Sequence, residues 1–110
     1  GIEEKAREAG VHAASQIDGE LLREESAFAL VKMLDEFVPT LDHVIDDSEP
    51  SYLASYGIDL ARAFSKAYLE LKVLGAEPAL AAQRLALFRQ TKTILGLSLQ
   101  LLGLRLCERM

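Results

Sequence analysis

Residues 51–71 have the sequence SYLASYGIDLARAFSKAYLEL, in which apolar side chains recur at steps of three and four residues. Because an α-helix has about 3.6 residues per turn, this spacing gathers them on one side of a helix. The predicted core-facing stripe consists of Leu53, Tyr56, Leu60, Phe64, Ala67, Tyr68 and Leu71. The stretch therefore predicts an amphipathic helix that packs against other helices.

Signals that begin and end helices flank this stretch. The tetrapeptide SEPS at residues 48–51 supplies a capping serine, an acid for the positive end of the helix dipole and a proline that a first turn tolerates. Gly75 and Pro78 predict a turn after the helix. We expect the last helix to span residues 77–102 and to end at Gly103. Since apolar residues cover most of its circumference, we expect it to be the central and most buried helix.

Two shorter helices are predicted upstream. The first runs over residues 20–37 and is interrupted by Pro39. The second covers residues 40–47 and presents one apolar face, formed by Leu41, Val44 and Ile45. An earlier helix is expected to stop at Gly10. Short connections between amphipathic helices favour antiparallel neighbours, so the predicted fold class is all-α, an antiparallel helical bundle.

The composition fits a single folded domain with an uneven charge. The 110 residues are 50% hydrophobic and 26% charged, which argues against a disordered segment. The net charge of −5 by itself disfavours nucleic-acid binding. However, residues 1–50 carry a net charge of −9 and residues 51–110 a net charge of +4. This asymmetry indicates an anionic partner for one face.

Several features predict a cytoplasmic protein without a membrane span. A single cysteine, Cys107, cannot form an internal disulfide, which is typical of a reducing compartment. The N-terminus is charged and resembles no signal peptide. The longest uncharged run, residues 93–104, is shorter than the roughly 20 apolar residues that a membrane span needs.

The sequence contains no recognised catalytic motif. A glycine-rich phosphate loop, a GxSxG elbow and an HExxH motif are all absent from it. A group of carboxylates surrounds His43, but it lacks a second nitrogen or sulfur ligand, so we interpret it as the solvated acidic end of a helix. We therefore expect no metal site and no catalytic residue in this chain. Cys107 is interpreted as a small packing residue.

Basic residues of the second half are a better indication of function. One helical face is able to neutralise itself through local ion pairs among Asp59, Arg62, Lys66 and Glu70. Fewer acids accompany Arg84, Arg89 and Lys92. Cations near tyrosines are able to bind phosphate and stack on unpaired bases. From the residues alone, contact with a protein partner is favoured and nucleic-acid binding stays open.

An ordered set of positions gives a more specific indication. Its first part contains Glu49, Pro50, Tyr56, Leu60, Ala61, Phe64, Tyr68, Val73 and Leu74. Its second part contains Arg84, Leu85, Leu87, Gly96, Leu97, Leu99, Leu101, Leu102, Gly103, Glu108 and Met110. In these positions the chain resembles the C-terminal domain of class I arginyl-tRNA synthetases, known as the DALR anticodon-binding domain. The resemblance covers about residues 20–110, since LLREESAFALVKMLDEF (21–37) also looks like the family's acidic helix pair.

The chain departs from the family pattern at four positions. Ser65 and Leu95 stand where the family usually has asparagine, Cys107 where it has proline, and Gly57 where a larger apolar residue is common. A Tyr-Ala-x-Ala-Arg helix that supplies much of the family's anticodon pocket is absent before Gly1. We therefore expect residues 1–110 to be one DALR domain from a longer synthetase.

The resemblance implies a function for that synthetase and roles for four residues. The intact enzyme would activate arginine with ATP and magnesium in a separate catalytic domain and transfer it to arginine tRNA. This domain would contact that catalytic domain and dock on the anticodon stem and loop. Tyr68 would lie against the tRNA and Met110 close to a splayed anticodon base. Arg105 and Arg109 are phosphate-binding candidates by charge and neighbourhood.

Two alternatives remain open at this point. One is a helical interaction module that contacts another protein through the apolar last helix. The other is the related domain of a cysteinyl- or glycyl-tRNA synthetase. The terminal ERM and the run GLSLQLLG (96–103) favour the arginyl family.

Overall fold

The computed structural model describes residues 4–6, 10, 13, 17–18, 21–47 and 51–109. This part of the chain contains no strand and four helices of eleven residues or more. They are α1 (Glu25–Asp35), α2 (Phe37–Asp47), α3 (Ser51–Glu70) and α4 (Pro78–Arg109). The all-α prediction is confirmed.

Helix α3 is the centre of the bundle, because it packs against α1, α2 and α4. The predicted stripe accounts for this position. Its buried members are Leu53, Tyr56, Leu60 and Ala67, with Leu71 buried just beyond the end of the helix. Phe64 is half-buried. Tyr68 retains 42% of its surface in solvent, because it lies in the last turn of α3 at the edge of the core.

Helix α4 is not the central helix, because α3 and not α4 packs against all three others, so that part of the prediction is wrong. Its first half is buried in the core through residues such as Leu85, Leu87 and Phe88. Farther along, Leu97 and Leu99 are 39% and 68% exposed. Apolar side chains on all sides of a helix are buried only where other helices surround it. The described helices surround only the first half of α4.

The break between α1 and α2 falls at Glu36 and not at the predicted Pro39. The Glu36 amide donates to the Lys32 carbonyl at 3.2 Å, which closes α1, and the Glu36 carbonyl accepts from the Thr40 amide at 3.0 Å, which opens α2. Pro39 is therefore the third residue of α2. The amides in the first turn of a helix have no hydrogen-bond acceptor within the helix, so a proline there costs little stability.

Two further predictions need correction, one about the start of a helix and one about a buried face. Helix α1 begins at Glu25, five residues later than expected. On α2, Val44 is buried but Ile45 is 69% exposed, because only a narrow side of this helix faces α3. Residues 48–50 of the SEPS motif lie outside the described residues. Helix α3 does begin at Ser51, as the motif predicts.

Glycine forms the predicted turn before α4 but does not end α4 as predicted. Gly75 has φ +83° and forms the turn before α4, as expected. Gly103, in contrast, stays helical, and α4 continues to Arg109. A glycine ends a helix by adopting the left-handed conformation, and Gly103 has not adopted it. In the described part of the chain, no helix is long and apolar enough to cross a membrane.

Candidate functional site

Tyr68 lies in a cluster of three aromatic rings where α3 meets α4. Its ring centroid is 5.8 Å from that of Phe64 and 5.6 Å from that of Phe88. Phe64 and Phe88 meet edge to face, with their centroids 5.6 Å apart. Phe88 is only 1% exposed, whereas Tyr68 is 42% exposed. The cluster therefore supports an exposed phenol ring on a buried apolar base.

Local sequence and packing both create this cluster. Phe64 and Tyr68 are four positions apart on α3, so they lie on the same side of the helix. Phe88 belongs to α4, which reaches the same corner because the two helices are antiparallel. Aromatic pairs in such tilted and edge-to-face arrangements contribute about 0.5–1.5 kcal/mol beyond the area they bury.

A shallow pocket of about 230 Å³ opens beside Tyr68. One wall consists of Tyr68 and Phe88, and the other is the connection between α3 and α4, including Lys72 and Leu74. Buried Leu71 and Val73 anchor this connection in the core.

A hydrogen bond further holds the connection in place. Arg84 Nη1 donates to the Lys72 carbonyl at 2.8 Å. The Lys72 and Lys92 side chains are both exposed, and Lys92 follows Phe88 by one helical turn. The site thus combines an exposed aromatic ring, an apolar pocket and cationic groups.

The structure describes the backbone of three of the four predicted site residues, and these three lie in two separate regions. Arg105 follows Phe88 by 17 positions on the continuous helix α4, which is about 26 Å along the axis. Arg109 lies one further turn away. The backbone of both arginines is described but their side chains are not, and Met110 lies outside the described residues. Tyr68 and the backbone of the terminal arginines therefore lie far apart along the domain.

Sequence reasoning missed Phe88 and Lys72 as neighbours of Tyr68. Phe88 belongs to a helix with apolar residues on most of its circumference, so the sequence does not show which of them faces Tyr68. Lys72 comes directly after the predicted helix and four positions after Tyr68. This position is the signal that could have indicated Lys72 as a neighbour of Tyr68.

Tyr56 has the structural role that its position on the stripe predicts. Its hydroxyl donates to the Met33 carbonyl at 2.6 Å, and 6% of the residue is exposed. Burial raises the pKa of Tyr56 to about 12, and the nearby Glu36 carboxylate adds to the rise. The Tyr56 hydrogen bond therefore joins α3 to α1. Because its hydroxyl proton is already donated to Met33, Tyr56 does not donate a hydrogen bond to a ligand.

The acidic group around His43 is exposed, with Asp42 and Asp46 also exposed. Among the residues that the structure describes, no group of three or more His, Cys, Asp or Glu side chains is arranged to hold a metal ion.

Comparison with known proteins identifies relatives along the entire chain. The family model described as "DALR anticodon binding domain" matches residues 1–110. The arginine–tRNA ligase of Levilactobacillus brevis is 37% identical over 93 residues, which cover 84% of this chain and 16% of that relative. The ligase of Salinibacter ruber is 35% identical over 101 residues, or 92% of this chain and 18% of the relative.

A third ligase, from Clostridioides difficile, is 34% identical over 104 residues, which are 94% of this chain and 18% of the relative. The chain thus spans less than a fifth of the length of these ligases. No solved structure matches it.

Proposed function

This chain belongs to the DALR anticodon-binding domain family, and from that premise we propose that it binds the anticodon stem and loop of arginine tRNA. It is homologous to a region of arginyl-tRNA synthetases. The observation that supports tRNA contact most directly is the exposed ring of Tyr68 on its aromatic base.

Tyr68 is suited to stack on an unpaired base. Single-stranded RNA is recognised largely by stacking its bases on aromatic side chains, with nearby cations neutralising the phosphates. The Phe64 and Phe88 contacts hold the Tyr68 ring in one orientation, which lowers the entropy lost on binding. Lys72 lines the pocket beside Tyr68, and exposed Lys92 follows Phe88 by one helical turn, so both are candidate phosphate contacts.

A second contact is proposed at the end of α4. Arg105 and Arg109 would bind phosphates, and Met110 would contact a splayed anticodon base. Because this end lies about 26 Å along α4 from the Tyr68 cluster, the two contacts would fall on different parts of one tRNA. Such spacing suits a stem and its loop better than a single isolated base.

In the complete synthetase, we place arginine activation by ATP and magnesium in a catalytic domain outside this chain. That domain would contact the present one and act on the distant 3′ end of the tRNA. Protein synthesis would place the enzyme in the cytoplasm.

The test is a binding titration of the 110-residue chain with arginine tRNA and a non-cognate tRNA at two salt concentrations. We expect Tyr68→Ala to weaken binding of arginine tRNA by roughly tenfold, since stacking on one base contributes about 1–3 kcal/mol. Binding should also weaken as salt rises, because phosphate contacts release counterions.

Tyr52→Ala is the matched control, because Tyr52 is also an exposed tyrosine of α3, at 45% exposure. Tyr68→Phe should retain most of the affinity, since stacking needs the ring and not the hydroxyl. Equal affinities of the Tyr68→Ala and Tyr52→Ala variants would remove Tyr68 from the proposed contact. Equal affinity for both tRNAs would argue against recognition of arginine tRNA.

Contact with a protein partner is a second candidate function, favoured by one observation. An apolar groove of about 420 Å³ lies between α3 and the second half of α4, lined by residues including Gly57, Ile58 and Leu99. Ile58 is 54% exposed and Leu99 68% exposed. If Leu99→Ser left tRNA binding intact but abolished association with the catalytic domain, the groove would be an interdomain contact and tRNA binding would stand.

A further inference from the structure

A second cleft lies where α3 faces the junction of α1 and α2. We call it the aromatic–acidic cleft, and its volume is about 480 Å³. Its lining includes the side chains of Glu36, His43, Tyr52, Ser55, Tyr56 and Asp59. Asp59 and Tyr68 are nine positions apart on α3, so they point to opposite sides of the helix, about 14 Å apart along its axis. The cleft is therefore distinct from the proposed tRNA surface.

Aromatic rings form much of the cleft. Tyr56 is a buried part of its lining, and its hydroxyl proton is already donated to the Met33 carbonyl at 2.6 Å. Tyr52, 45% exposed, meets the His43 ring edge to face, with the centroids 6.0 Å apart. The faces of aromatic rings carry partial negative charge, so these walls favour a cation.

Two carboxylates approach the rings from different helices. Asp59 belongs to α3, and Glu36 lies at the junction of α1 and α2. Both are exposed. The Glu36 carboxylate is close enough to the Tyr56 phenol to raise its pKa, which is consistent with a shared cleft. The described lining contains no lysine or arginine. The two carboxylates therefore make the described lining acidic.

The described residues of the cleft do not form a metal site, and their chemistry suits a larger organic cation. Within the described residues, Glu36, His43 and Asp59 do not form a cluster that could hold a metal. A guanidinium group is flat, stacks on aromatic rings and donates five N–H bonds in a fork that carboxylates accept. Phosphates would be repelled by the same carboxylates, so the cleft does not suit RNA.

We propose that the aromatic–acidic cleft binds the guanidinium group of an arginine side chain carried by a partner polypeptide. The guanidinium packs against the Tyr52 ring and donates hydrogen bonds to Glu36 and Asp59. A polypeptide is the source because the cleft is open at the surface, with Tyr52, Glu36 and Asp59 all exposed, so that a side chain projecting from a second chain is able to reach it. The partner is thus a basic segment that docks on the face away from Tyr68.

The experiment is a titration of the ¹⁵N-labelled 110-residue chain, followed by amide chemical shifts. The probe is N-acetyl-arginine amide, which has no carboxylate, and the matched control is N-acetyl-citrulline amide, in which a neutral ureido group replaces the guanidinium. We expect the arginine probe to shift amides around the cleft and to bind at least fivefold more tightly than the citrulline probe, roughly as charged hydrogen bonds exceed neutral ones. Equal binding of both probes would overturn the proposal.

Variants test the named carboxylates. Glu36→Gln and Asp59→Asn should each weaken the arginine probe by about two- to fivefold, the range for partly exposed ion pairs. Asp35→Asn is the matched control, since Asp35 is exposed beside Glu36 but does not line the cleft. An equal loss in the control would show attraction to the net charge only and would overturn the site.

A final arm distinguishes the source of the cation. Free arginine should bind no more tightly than the amide probe, because the described lining contains no lysine or arginine to pair with its α-carboxylate. If free arginine bound more tightly, the polypeptide source would be wrong. None of these outcomes depends on tRNA, so the cleft and the proposed tRNA contact are able to fail separately.

Discussion

Three tyrosines on α3 have three different surroundings. Tyr56 is buried and bonded to α1, Tyr68 rests partly exposed on two phenylalanines, and Tyr52 lies at the edge of the aromatic–acidic cleft beside His43. The same residue type thus serves packing, a proposed base contact and a proposed cation contact. The position of each ring relative to the other helices makes the difference.

The Tyr56 hydrogen bond should be measurable in stability. We expect Tyr56→Phe to lower the free energy of unfolding by about 1 kcal/mol, because the Met33 carbonyl loses a donor in a partly buried place. Urea unfolding followed by circular dichroism measures the change. Tyr52→Phe is the control and should change stability little, since its ring is 45% exposed. Equal effects in both variants would contradict the assigned role of Tyr56.

The raised pKa of Tyr56 predicts a pH dependence. Its folded-state pKa is about 12 against an ordinary value of 10.0, so the folded state holds the phenol proton more tightly than the unfolded state. The stabilising contribution is present below pH 10 and is lost as pH rises through about 12. The free energy of unfolding should therefore fall over this window by more in the parent chain than in Tyr56→Phe. Parallel pH profiles would show that Tyr56 is not responsible.

Helix α4 shows how a helix is able to run past a weak breaker. Gly96 and Gly103 both lie inside it, and each costs about 1 kcal/mol relative to alanine without ending the helix. The residues around them keep the helical hydrogen-bond ladder continuous. Gly75, with its left-handed backbone, is different because it forms the turn that allows α4 to return along α3.

A pair of glycine substitutions tests this distinction. An alanine Cβ at position 96 meets no atom within 4 Å, so Gly96→Ala should raise the free energy of unfolding by about 0.5–1 kcal/mol. Gly75→Ala should lower it by about 1 kcal/mol, because φ +83° strains a residue with a Cβ. Denaturant unfolding measures both. Shifts in the same direction would contradict the backbone conformations assigned to these two glycines.

The domain as a unit is elongated, with extents of 48 × 25 × 23 Å, and α4 accounts for its longest dimension. The Tyr68 cluster and the terminal arginines are far apart along this axis. The aromatic–acidic cleft faces away from Tyr68. Its carboxylates and the proposed anion-binding surface around Tyr68 therefore lie on different sides of the domain. The overall charge of −5 hides this arrangement.

The separation along α4 predicts additive effects on tRNA binding. Because the Arg105 backbone lies about 26 Å along the helix from the Tyr68 cluster, the free-energy losses from Tyr68→Ala and Arg105→Ala should sum in the double variant to within about 0.5 kcal/mol. Titration of the two single variants and the double variant with arginine tRNA measures this. A larger coupling would indicate one shared contact and not two.

Periodicity and short motifs predicted the fold class, the buried stripe of α3 and the turn at Gly75, whereas the family was predicted from a resemblance that covers most of the chain. The first three features depend on spacings of a few residues, which act locally. For the same reason the sequence indicated Tyr68 as a candidate contact but did not show that Phe88 packs against its ring. Phe64 lies on the same helix as Tyr68, whereas Phe88 lies on another helix.

Packing between distant segments determined the remaining features. The break at Glu36, the continuation of α4 beyond Gly103 and the exposure of Leu99 all depend on which neighbours cover each turn. The aromatic–acidic cleft likewise brings Glu36 and Asp59 together from different helices. The sequence by itself therefore established which helices form and to which family they belong. Their mutual packing established which side chains meet, because contacts between distant segments depend on the complete arrangement and not on local spacing.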